Sequence, residues 1–509
     1  TSKIMEKMSR RSFLKAGTAA TAALAMTPTE MLAKAKNTKK KAGKTGKVKL
    51  LGVGIGGRGH SDLNGVTYNG KEVYDDIEFI GLADVDQKYA KGVIDEYTKL
   101  FPNCKVYNDY KKMYAELLDQ CDGVICGTAD HTHAIICAEA LMAGKAVYCE
   151  KPLTRTVYES RLLTKLAAKA NVATQMGNQG ASGEGVNLVC EWIWNGEIGE
   201  VTRVDAFTDR PIWPQGLEHP AEVMPVPDTL NWDAFIGPAP KRDYNSIYTP
   251  WNFRGWWDFG TGALGDMACH ILHPVFKALD LKYPIRVQGS STALMAESCP
   301  NAQVVKYTFP ARANRPKVAM PEVVVTWSDG GILPFRPEEL PAGKNLNVSG
   351  GAAIFYGTKD TLIVGCYGEK PYLLSGRVPN APKVCRRVTE SHQRDWIRAI
   401  KEDPATRVKT SSDFSEAGPF NEMVAMGVVA VRLQGLNQVL EWDGEKMQFT
   451  NIPENATVKS MIKDGFSIKD GHPTFQNKYT EPVNAREFAA ELIKPKYQNG
   501  FVIPELPQD

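Results

Sequence analysis

The chain has 509 residues, which is too long for one ordinary hydrophobic core and predicts two domains behind a removable leader. Its 61 basic and 58 acidic residues give a formal net charge of only +3, so no basic field indicates a nucleic-acid partner. After the leader, no segment is long and apolar enough to span a bilayer, and we expect a mature protein without a membrane span.

Residues 1–35 have the pattern of a twin-arginine export signal. Arg10 and Arg11 precede a weakly apolar run of Ala and Thr over 16–26. An Ala-Lys-Ala sequence at 33–35 offers a cleavage site between small residues, and the Lys-rich stretch 36–47 is expected to be a linker. The pattern predicts a periplasmic protein. A disordered basic tail or an uncleaved anchor is the alternative.

A glycine-rich turn follows the first predicted strand, Val48–Val53. Gly54, Gly56 and Gly59 fit the dinucleotide-binding pattern G-x-G-x-x-G, and strand length favours this frame over one that starts at Gly52. Glycine is needed there because the turn is tight and a pyrophosphate must approach the backbone at a helix N-terminus.

The second predicted strand, Ile77–Ala83, ends in Asp84. A carboxylate at this position can accept hydrogen bonds from the adenosine ribose hydroxyls, which favours NAD over NADP. Arg58 is the feature that would favour NADP, because its guanidinium can bind a 2′-phosphate. The alternative is that Asp84 only caps the helix predicted over 87–100.

Alternating helical and apolar strand segments continue to about residue 177 and predict a doubly wound parallel sheet over 48–177. The strand Ala146–Cys149 is followed directly by Glu150-Lys151-Pro152. This order would place Lys151 at the carboxyl edge of the sheet. A strand that simply ends in a surface turn is the alternative.

The second half has longer strands and more tryptophan and proline, which predicts an α+β domain over 178–470 with a large, mainly antiparallel open sheet. Its predicted strands are 201–208, 286–291, 303–309, 323–328, 352–357 and 361–365. Its predicted helices are 188–195, 267–279, 391–400 and 421–433, all packed around that sheet. Residues 471–509 are expected to be a loop-rich tail.

Ten cysteines are irregularly spaced, and several fall inside predicted strands and helices. We expect them to be buried small hydrophobic residues, and the sequence assigns no disulfide pairing.

Asp266 and His270 follow a glycine-rich stretch, and their spacing of four places them on one face of a helix. The alternatives are that Asp266 only caps the helix and that His270 is only a core residue. Asp266, His270 and His273 could also ligate a divalent ion, as could His131 with His133. No third and fourth ligand stands at a recognisable spacing, so no metal is predicted.

These motifs together resemble the Gfo/Idh/MocA family, which is named after glucose-fructose oxidoreductase and inositol dehydrogenase. The resemblance covers about 48–433 and rests on the glycine turn, Asp84, the loop 128–133, Glu150-Lys151-Pro152 and Asp266-x-x-x-His270. One departure is Ala129, where the family usually has proline. The motif set is specific for the family and does not name a substrate.

The resemblance implies that Lys151, Asp266 and His270 surround the sugar carbon that exchanges hydride with a nicotinamide. His270 would take the hydroxyl proton, Lys151 would bind the same oxygen, and Asp266 would orient His270 or hold a neighbouring hydroxyl. The residues implied to contact the cofactor are Gly54, Ile55, Gly56, Gly57, Arg58, Gly59, Asp84, Thr128, His133, Glu150, Lys151 and Asn178.

Four tryptophans near these motifs suit stacking on a sugar ring, and core packing is the alternative for each of them. They are Trp213, Trp251, Trp256 and Trp257, of which Trp256 is the predicted substrate contact beside Lys151, Asp266 and His270.

The function predicted first is an NAD-dependent oxidoreductase that acts on a sugar or glycoside hydroxyl, or on the matching keto-sugar, through a tightly bound nicotinamide. The second is a glycoside hydrolase that uses NAD for transient oxidation and elimination, although that group typically has a different His-containing segment. A non-catalytic ligand-binding protein is the third, and the intact Lys151, Asp266 and His270 argue against it. A homo-oligomer is also expected.

Overall fold

The computed structural model describes residues 46–346 and 350–508. The export signal predicted over 1–35 and most of the linker predicted over 36–47 lie outside the described residues.

The first domain is built on a parallel sheet whose central strands are buried on both faces. Its strands are β1 (Val48–Val53), β4 (Ile77–Ala83), β5 (Lys105–Tyr107), β6 (Gly123–Cys126), β7 (Ala146–Cys149) and β8 (Thr174–Met176), while β2 (Tyr68–Asn69) and β3 (Glu72–Val73) form a separate hairpin. The six strands are ordered β5-β4-β1-β6-β7-β8, and all neighbours are parallel. The order reverses beside β1, which is where doubly wound sheets bind their ligands.

Helices alternate with these strands, as the sequence predicts. They are α1 (Arg58–Thr67), α2 (Lys91–Leu100), α3 (Tyr110–Leu117), α4 (Asp130–Met142) and α5 (Val157–Ala170). Helix α5 begins where the Thr156 hydroxyl accepts the backbone N–H of Glu159. Such a cap satisfies one of the free amides of the first turn.

The second domain contains the large sheet. Its strands are β9 (Val201–Phe207), β10 (Arg286–Ser291), β11 (Gln303–Phe309), β12 (Val323–Ser328), β13 (Ala352–Gly357), β14 (Thr361–Gly365), β15 (Tyr372–Leu373), β16 (Leu440–Asp443) and β17 (Gln448–Phe449). The order is β15-β14-β13-β9-β12-β11-β10-β16-β17, and only the β9–β12 pair is parallel. The predicted fold class, a parallel doubly wound sheet followed by a mainly antiparallel one, is confirmed.

The helices of the second half are α6 (Glu184–Trp194), α7 (Trp232–Ile236), α8 (Gly262–Ile271), α9 (His273–Ala278), α10 (His392–Lys401), α11 (Phe414–Arg432) and α12 (Ala485–Ile493). Single turns of 3₁₀ helix occur at Leu118–Gln120, Gln179–Ser182, Asn252–Gly255, Cys366–Gly368 and Gln434–Leu436.

The bounds of three helices predicted in the second half need correction. The helix predicted over 188–195 is α6 and begins at Glu184. The helix predicted over 267–279 begins earlier, at Gly262, and breaks at Leu272 into α8 and α9. The helix predicted over 421–433 begins at Phe414, because Asp413 caps it and Pro419 is accommodated inside it. Glycine and proline are poor helix formers, which is why these last two starts were placed too late.

Helix α10 packs on the first domain and not around the second sheet. Trp396, Ile397 and Ile400 are buried in the hydrophobic cluster of β1 and β4. An amphipathic pattern shows that a helix covers a core, but it does not say which sheet the helix covers.

The tail contains more regular structure than predicted. Strands β18 (Thr457–Val458), β19 (Met461–Lys463), β20 (Phe466–Lys469), β21 (His472–Phe475), β22 (Lys478–Tyr479) and β23 (Val483–Asn484) form three small antiparallel pairs before α12. The predicted tail begins at residue 471, which lies in the turn between β20 and β21. This boundary would therefore divide one hairpin between two segments.

All ten cysteines lie in the described part of the chain and are free thiols, nine of them buried. This confirms the expectation that they serve as small core residues. Among the described residues, no helix has the length and apolar character needed to cross a membrane.

Candidate active site

A cleft of about 1030 Å³, partly open to solvent, runs along the carboxyl ends of β1, β4, β6 and β7. The first domain contributes one wall, and the second domain contributes the other through Phe235 and the segment 249–254. Eight of the predicted site residues line it: Gly54, Gly56, Gly57, Arg58, Asp84, Thr128, Glu150 and Lys151.

The glycine turn between β1 and α1 has no room for side chains. Gly54 has φ +70°, and a Cβ there would lie 2.5 Å from the backbone nitrogen of Thr128. A Cβ on Gly59 would lie 1.9 Å from the Gly54 carbonyl oxygen. The turn therefore brings bare backbone to the cleft at the N-terminus of α1, as a bound pyrophosphate requires.

Asp84 closes this turn from the end of β4. Its Oδ2 accepts the backbone N–H groups of Ile55 at 2.9 Å and Gly56 at 3.1 Å, and its Oδ1 accepts that of Asp86 at 2.9 Å. Burial raises the pKa of Asp84 to about 6, against the opposing effect of these hydrogen bonds.

Arg58 and Glu150 connect the start of α1 to the end of β7. The Arg58 Nε donates to Glu150 Oε1 at 3.1 Å, and Asp62 lies 3.6 Å from the same guanidinium. Burial and the neighbouring Glu150 raise the pKa of Asp62 well above its usual range. Gly177 leaves the space for this group, because a Cβ there would lie 2.3 Å from Glu150 Oε1.

Four predicted cofactor contacts lie behind the cleft wall. Ile55 is fully buried, and Gly59 faces the turn itself. His133 holds two loops together, since its ring nitrogens lie 2.8 Å from the carbonyl oxygen of Pro152 and 2.9 Å from that of Thr128. Asn178 accepts a hydrogen bond from Ser412. These four residues support the cleft wall from behind. Their direct contact with a cofactor stays a prediction.

Lys151 and Asp266 meet at the end of the cleft. The Lys151 ammonium donates to Asp266 Oδ1 at 2.9 Å and to the Asp266 carbonyl oxygen at 3.0 Å. Burial disfavours the charged lysine, but Asp266 outweighs it and raises the pKa of Lys151 above its ordinary value. Two of the three ammonium protons are used, so the third remains for a ligand.

Arg254, which sequence reasoning missed, shares the same carboxylate oxygen. Its Nε donates to Asp266 Oδ1 at 3.0 Å, and its guanidinium lies over the ring of Trp251 at 4.2 Å. Although burial acts in the opposite direction, Lys151 and Arg254 hold the pKa of Asp266 well below its usual range. The only sequence signal was an arginine inside a tryptophan-rich run.

His270 lies one turn after Asp266 on α8, as their spacing predicts, and is 4% exposed. Its Nδ1 is buried and has no hydrogen-bond partner among the described residues. Burial first, and then the nearby Lys151, lower the pKa of His270 well below its ordinary value. The imidazole is therefore neutral near pH 7.

The tryptophans divide into two groups. Trp251 is 41% exposed, lines the cleft and contacts Trp213 with ring centroids 5.0 Å apart. Trp256 and Trp257 are buried, and Trp256 packs on Tyr248 inside an aromatic cluster. The prediction that Trp256 contacts a substrate stays a prediction, and its surroundings are those of a core residue.

The histidines of the metal groupings considered from sequence have different surroundings. His131 lies 2.8 Å from the Phe235 carbonyl oxygen, and His273 faces Glu416 at 3.3 Å. His133 has buried Cys126 and Cys149 close by, with ligand atoms within 4.8 Å of one another. Both of its ring nitrogens face carbonyl oxygens, so neither presents a free lone pair to a metal.

Comparisons with known proteins agree with this architecture. Residues 47–178 match the description "Oxidoreductase family, NAD-binding Rossmann fold", residues 193–313 match "Oxidoreductase family, C-terminal alpha/beta domain", and residues 7–27 match a twin-arginine translocation signal.

Three similar proteins illustrate the relationship. A glucose-6-phosphate 3-dehydrogenase of Bacillus subtilis is 24% identical over 31% of this chain and 41% of its own. A glycosyl hydrolase family 109 protein of Shewanella baltica is 27% identical over 40% of this chain and 46% of its own. The crystal structure of the WlbA dehydrogenase from Chromobacterium violaceum, in complex with NADH and UDP-GlcNAcA, is 16% identical with a TM-score of 0.50, over 76% of this chain and 94% of that one.

The chain spans less than half the length of the curated relatives that it matches, and the likeness to the crystal structure concerns the fold alone. The two family matches fall on the two domains seen in the structure. The glycine turn, Asp84 and the Glu150-Lys151 pair line one cleft between them, and Asp266 is bound to Lys151. This chain belongs to the Gfo/Idh/MocA oxidoreductase family.

Proposed function

We propose that this protein is an NAD-dependent oxidoreductase that removes hydride from a hydroxyl-bearing carbon of a sugar or glycoside, or returns it to the matching keto-sugar. The observation that carries the proposal is the position of Lys151. Lys151 lines the cleft that begins at the glycine turn, and its ammonium is bound to Asp266, one helical turn from His270.

The residues of the cleft fit a dinucleotide. The turn at Gly54, Gly56 and Gly57 leaves backbone without side chains beside the N-terminus of α1, where an anionic pyrophosphate is favoured. Asp84 would accept the ribose hydroxyls, and Thr128 and Glu150 would meet the nicotinamide half. When bound, the nicotinamide supplies the hydride acceptor.

The acid–base chemistry follows from the charges around the two motifs. His270 is neutral near pH 7 and would take the proton of the reacting hydroxyl. The remaining N–H of Lys151 would donate to the same oxygen and stabilise its developing negative charge. Asp266, held ionised by Lys151 and Arg254, would fix the ammonium in place.

The export signal supports a periplasmic location and a retained cofactor. Twin-arginine export passes folded proteins, which is the route that a cofactor-loaded domain needs. To keep its cofactor at a sub-micromolar protein concentration, the protein needs a dissociation constant on the order of nanomolar or below. This corresponds to a binding free energy of about 12 kcal/mol. The bound NADH would then be reoxidised in place, by a second sugar or by return of the hydride.

The test is a panel of sugars and aryl glycosides incubated with the purified protein. We expect at least one compound to give a keto-sugar, at up to one equivalent per bound NAD when it is supplied alone and catalytically when a second sugar is present to reoxidise the NADH, with no aglycone released. His270→Gln serves as the control for background oxidation. Release of the aglycone without formation of a keto-sugar would contradict the proposal.

The Shewanella relative favours a second candidate, a glycoside hydrolase that oxidises one carbon transiently and eliminates the aglycone. Oxidation acidifies the hydrogen on the neighbouring carbon, so this route exchanges that hydrogen with solvent. Deuterium incorporated from D₂O at that carbon, together with aglycone release, would favour the hydrolase. Simple hydride transfer leaves that carbon unlabelled.

A further inference from the structure

Tyr367 is a bulky residue in an unusual backbone conformation beside His270. It is the central residue of the turn Cys366–Gly368 that follows β14, and it has φ +63° and ψ +15°. Left-handed backbone is uncommon for residues other than glycine, asparagine and aspartate, and it costs free energy for a large side chain. Such a conformation persists only where the surrounding contacts fix it.

The contacts that fix this turn come from both sides. The Cys366 N–H donates to the Gly351 carbonyl at 3.0 Å, and the Gly365 N–H donates to that of Glu369 at 2.9 Å. Two glycines then let the turn approach the 3₁₀ turn Gln179–Ser182 and the first turn of α6. A Cβ on Gly180 would lie 2.7 Å from the Tyr367 carbonyl oxygen, and one on Gly185 would lie 1.7 Å from that of Gly368. The turn is therefore anchored against small residues.

The anchored turn presents the Tyr367 ring to the imidazole. The ring centroids of Tyr367 and His270 are 4.6 Å apart with an interplanar angle of 55°. Tyr367 is 37% exposed and His270 only 4%, and the phenol ring in contact with the imidazole contributes to its burial. Since the buried Nδ1 of His270 lacks a hydrogen-bond partner among the described residues, packing is what fixes the ring orientation there.

We propose that Tyr367 is a positioning residue for His270: its ring holds the imidazole in the orientation that receives the substrate proton and excludes water from it. This inference rests on the proposed function for its catalytic consequence. Its structural part concerns only the contact between two side chains of this chain.

The charges around His270 come from several elements. Lys151 follows β7, Asp266 precedes His270 on α8, Arg58 begins α1, and His273 begins α9; all four act on the imidazole. Burial is the largest influence and lowers the pKa of His270. Removal of the Tyr367 ring admits water, which raises that pKa toward its ordinary value. The acidic limb of the kcat/KM profile would then move to higher pH.

The kinetic test compares three variants. Tyr367→Ala should lower kcat roughly tenfold or more through misorientation of the imidazole, with KM changed by less than about threefold. Tyr367→Phe keeps the ring and should retain at least about a third of the wild-type kcat. The matched control is Tyr479→Ala, which removes a ring of similar exposure, 43%, far along the chain in β22.

A second readout needs neither cofactor nor substrate. The chain has only eight histidines, so ¹³C-labelled histidine gives a small set of resonances, and the one missing in His270→Gln belongs to His270. In wild type and Tyr367→Phe this resonance should report a neutral ring down to low pH. In Tyr367→Ala it should titrate at distinctly higher pH. If the alanine variant does not fold, Tyr367→Leu replaces it.

An unchanged His270 titration together with an unchanged kcat in Tyr367→Ala would overturn the proposal. An equal loss of kcat in Tyr367→Phe would overturn it too, because the hydroxyl and not the ring would then be responsible. If the wild-type protein oxidises no sugar, the proposed function fails, while the titration still tests the contact between Tyr367 and His270.

Discussion

At the scale of single residues, the main feature beside the cleft is one carboxylate, that of Asp266, which two cations share. Lys151, Asp266 and His270 could be found from sequence because each lies in a short motif of local spacing. Arg254 could not, because its role depends on a loop of the second domain folding back over α8. Its guanidinium and the Lys151 ammonium together lower the pKa of Asp266.

Loss of either proton-handling group should abolish most of the activity. Lys151→Ala and His270→Ala are each expected to lower turnover by at least about a hundredfold, because each removes a positioned donor or base. Circular dichroism and thermal melting should show a folded protein. The exposed Lys71→Ala is the matched control, and near-normal turnover in either active-site variant would remove that residue from the mechanism.

Asp84 should set the choice of cofactor. Its carboxylate would repel a 2′-phosphate, so we expect NAD to bind more tightly than NADP. Asp84→Ala should narrow or reverse the preference, as measured by titration calorimetry on protein stripped of nucleotide. Tighter binding of NADP by the unmutated protein would contradict this role.

The raised pKa of Asp84, about 6, predicts how NAD binding depends on pH. The ionised carboxylate accepts hydrogen bonds from the ribose, and the protonated form loses much of that capacity. NAD affinity should therefore be constant above about pH 7 and fall as the pH drops below 6, by up to about tenfold per pH unit. Asp84→Asn should flatten this dependence, and a flat profile in wild type would exclude the carboxylate from binding.

At the scale of elements, α11 supports the loop that carries Lys151. Asn421 of α11 is fully buried; its Oδ1 accepts the Leu153 N–H at 3.1 Å, and its Nδ2 donates to the Thr154 carbonyl at 3.0 Å and the Ser160 hydroxyl at 2.6 Å. Arg161 of α5 is bound to Glu422 by two further hydrogen bonds. These contacts between distant segments had no signal in the sequence.

Replacement of Asn421 by leucine should weaken both the fold and the catalytic loop. The change leaves buried backbone groups at 153–154 without partners, and we expect it to lower the free energy of unfolding by about 2 to 4 kcal/mol. Denaturant titration measures the loss, with the exposed Asn69→Leu as control. A change below about 0.5 kcal/mol would show that water replaces the amide fully.

At the scale of the whole molecule, the sequence predicted best those helices and strands whose positions depend on local residue patterns. The alternating units of the first domain and the strands β9 to β14 lie where the patterns indicate, because burial fixes both period and position. The start of α8 was missed because Gly262 and Gly265 resemble a loop. The return of α10 to the first domain was missed because Trp396 could be buried under either sheet.

We predict an exported oxidoreductase that keeps its nicotinamide, and one measurement tests this prediction most directly. The protein is purified after export without added nucleotide, denatured, and the supernatant analysed by mass spectrometry. We expect NAD or NADH in nearly one-to-one ratio with the chain, and little release of NADH during turnover. Absence of any nicotinamide nucleotide, together with activity that depends on added NAD at about millimolar concentration, would contradict the central claim.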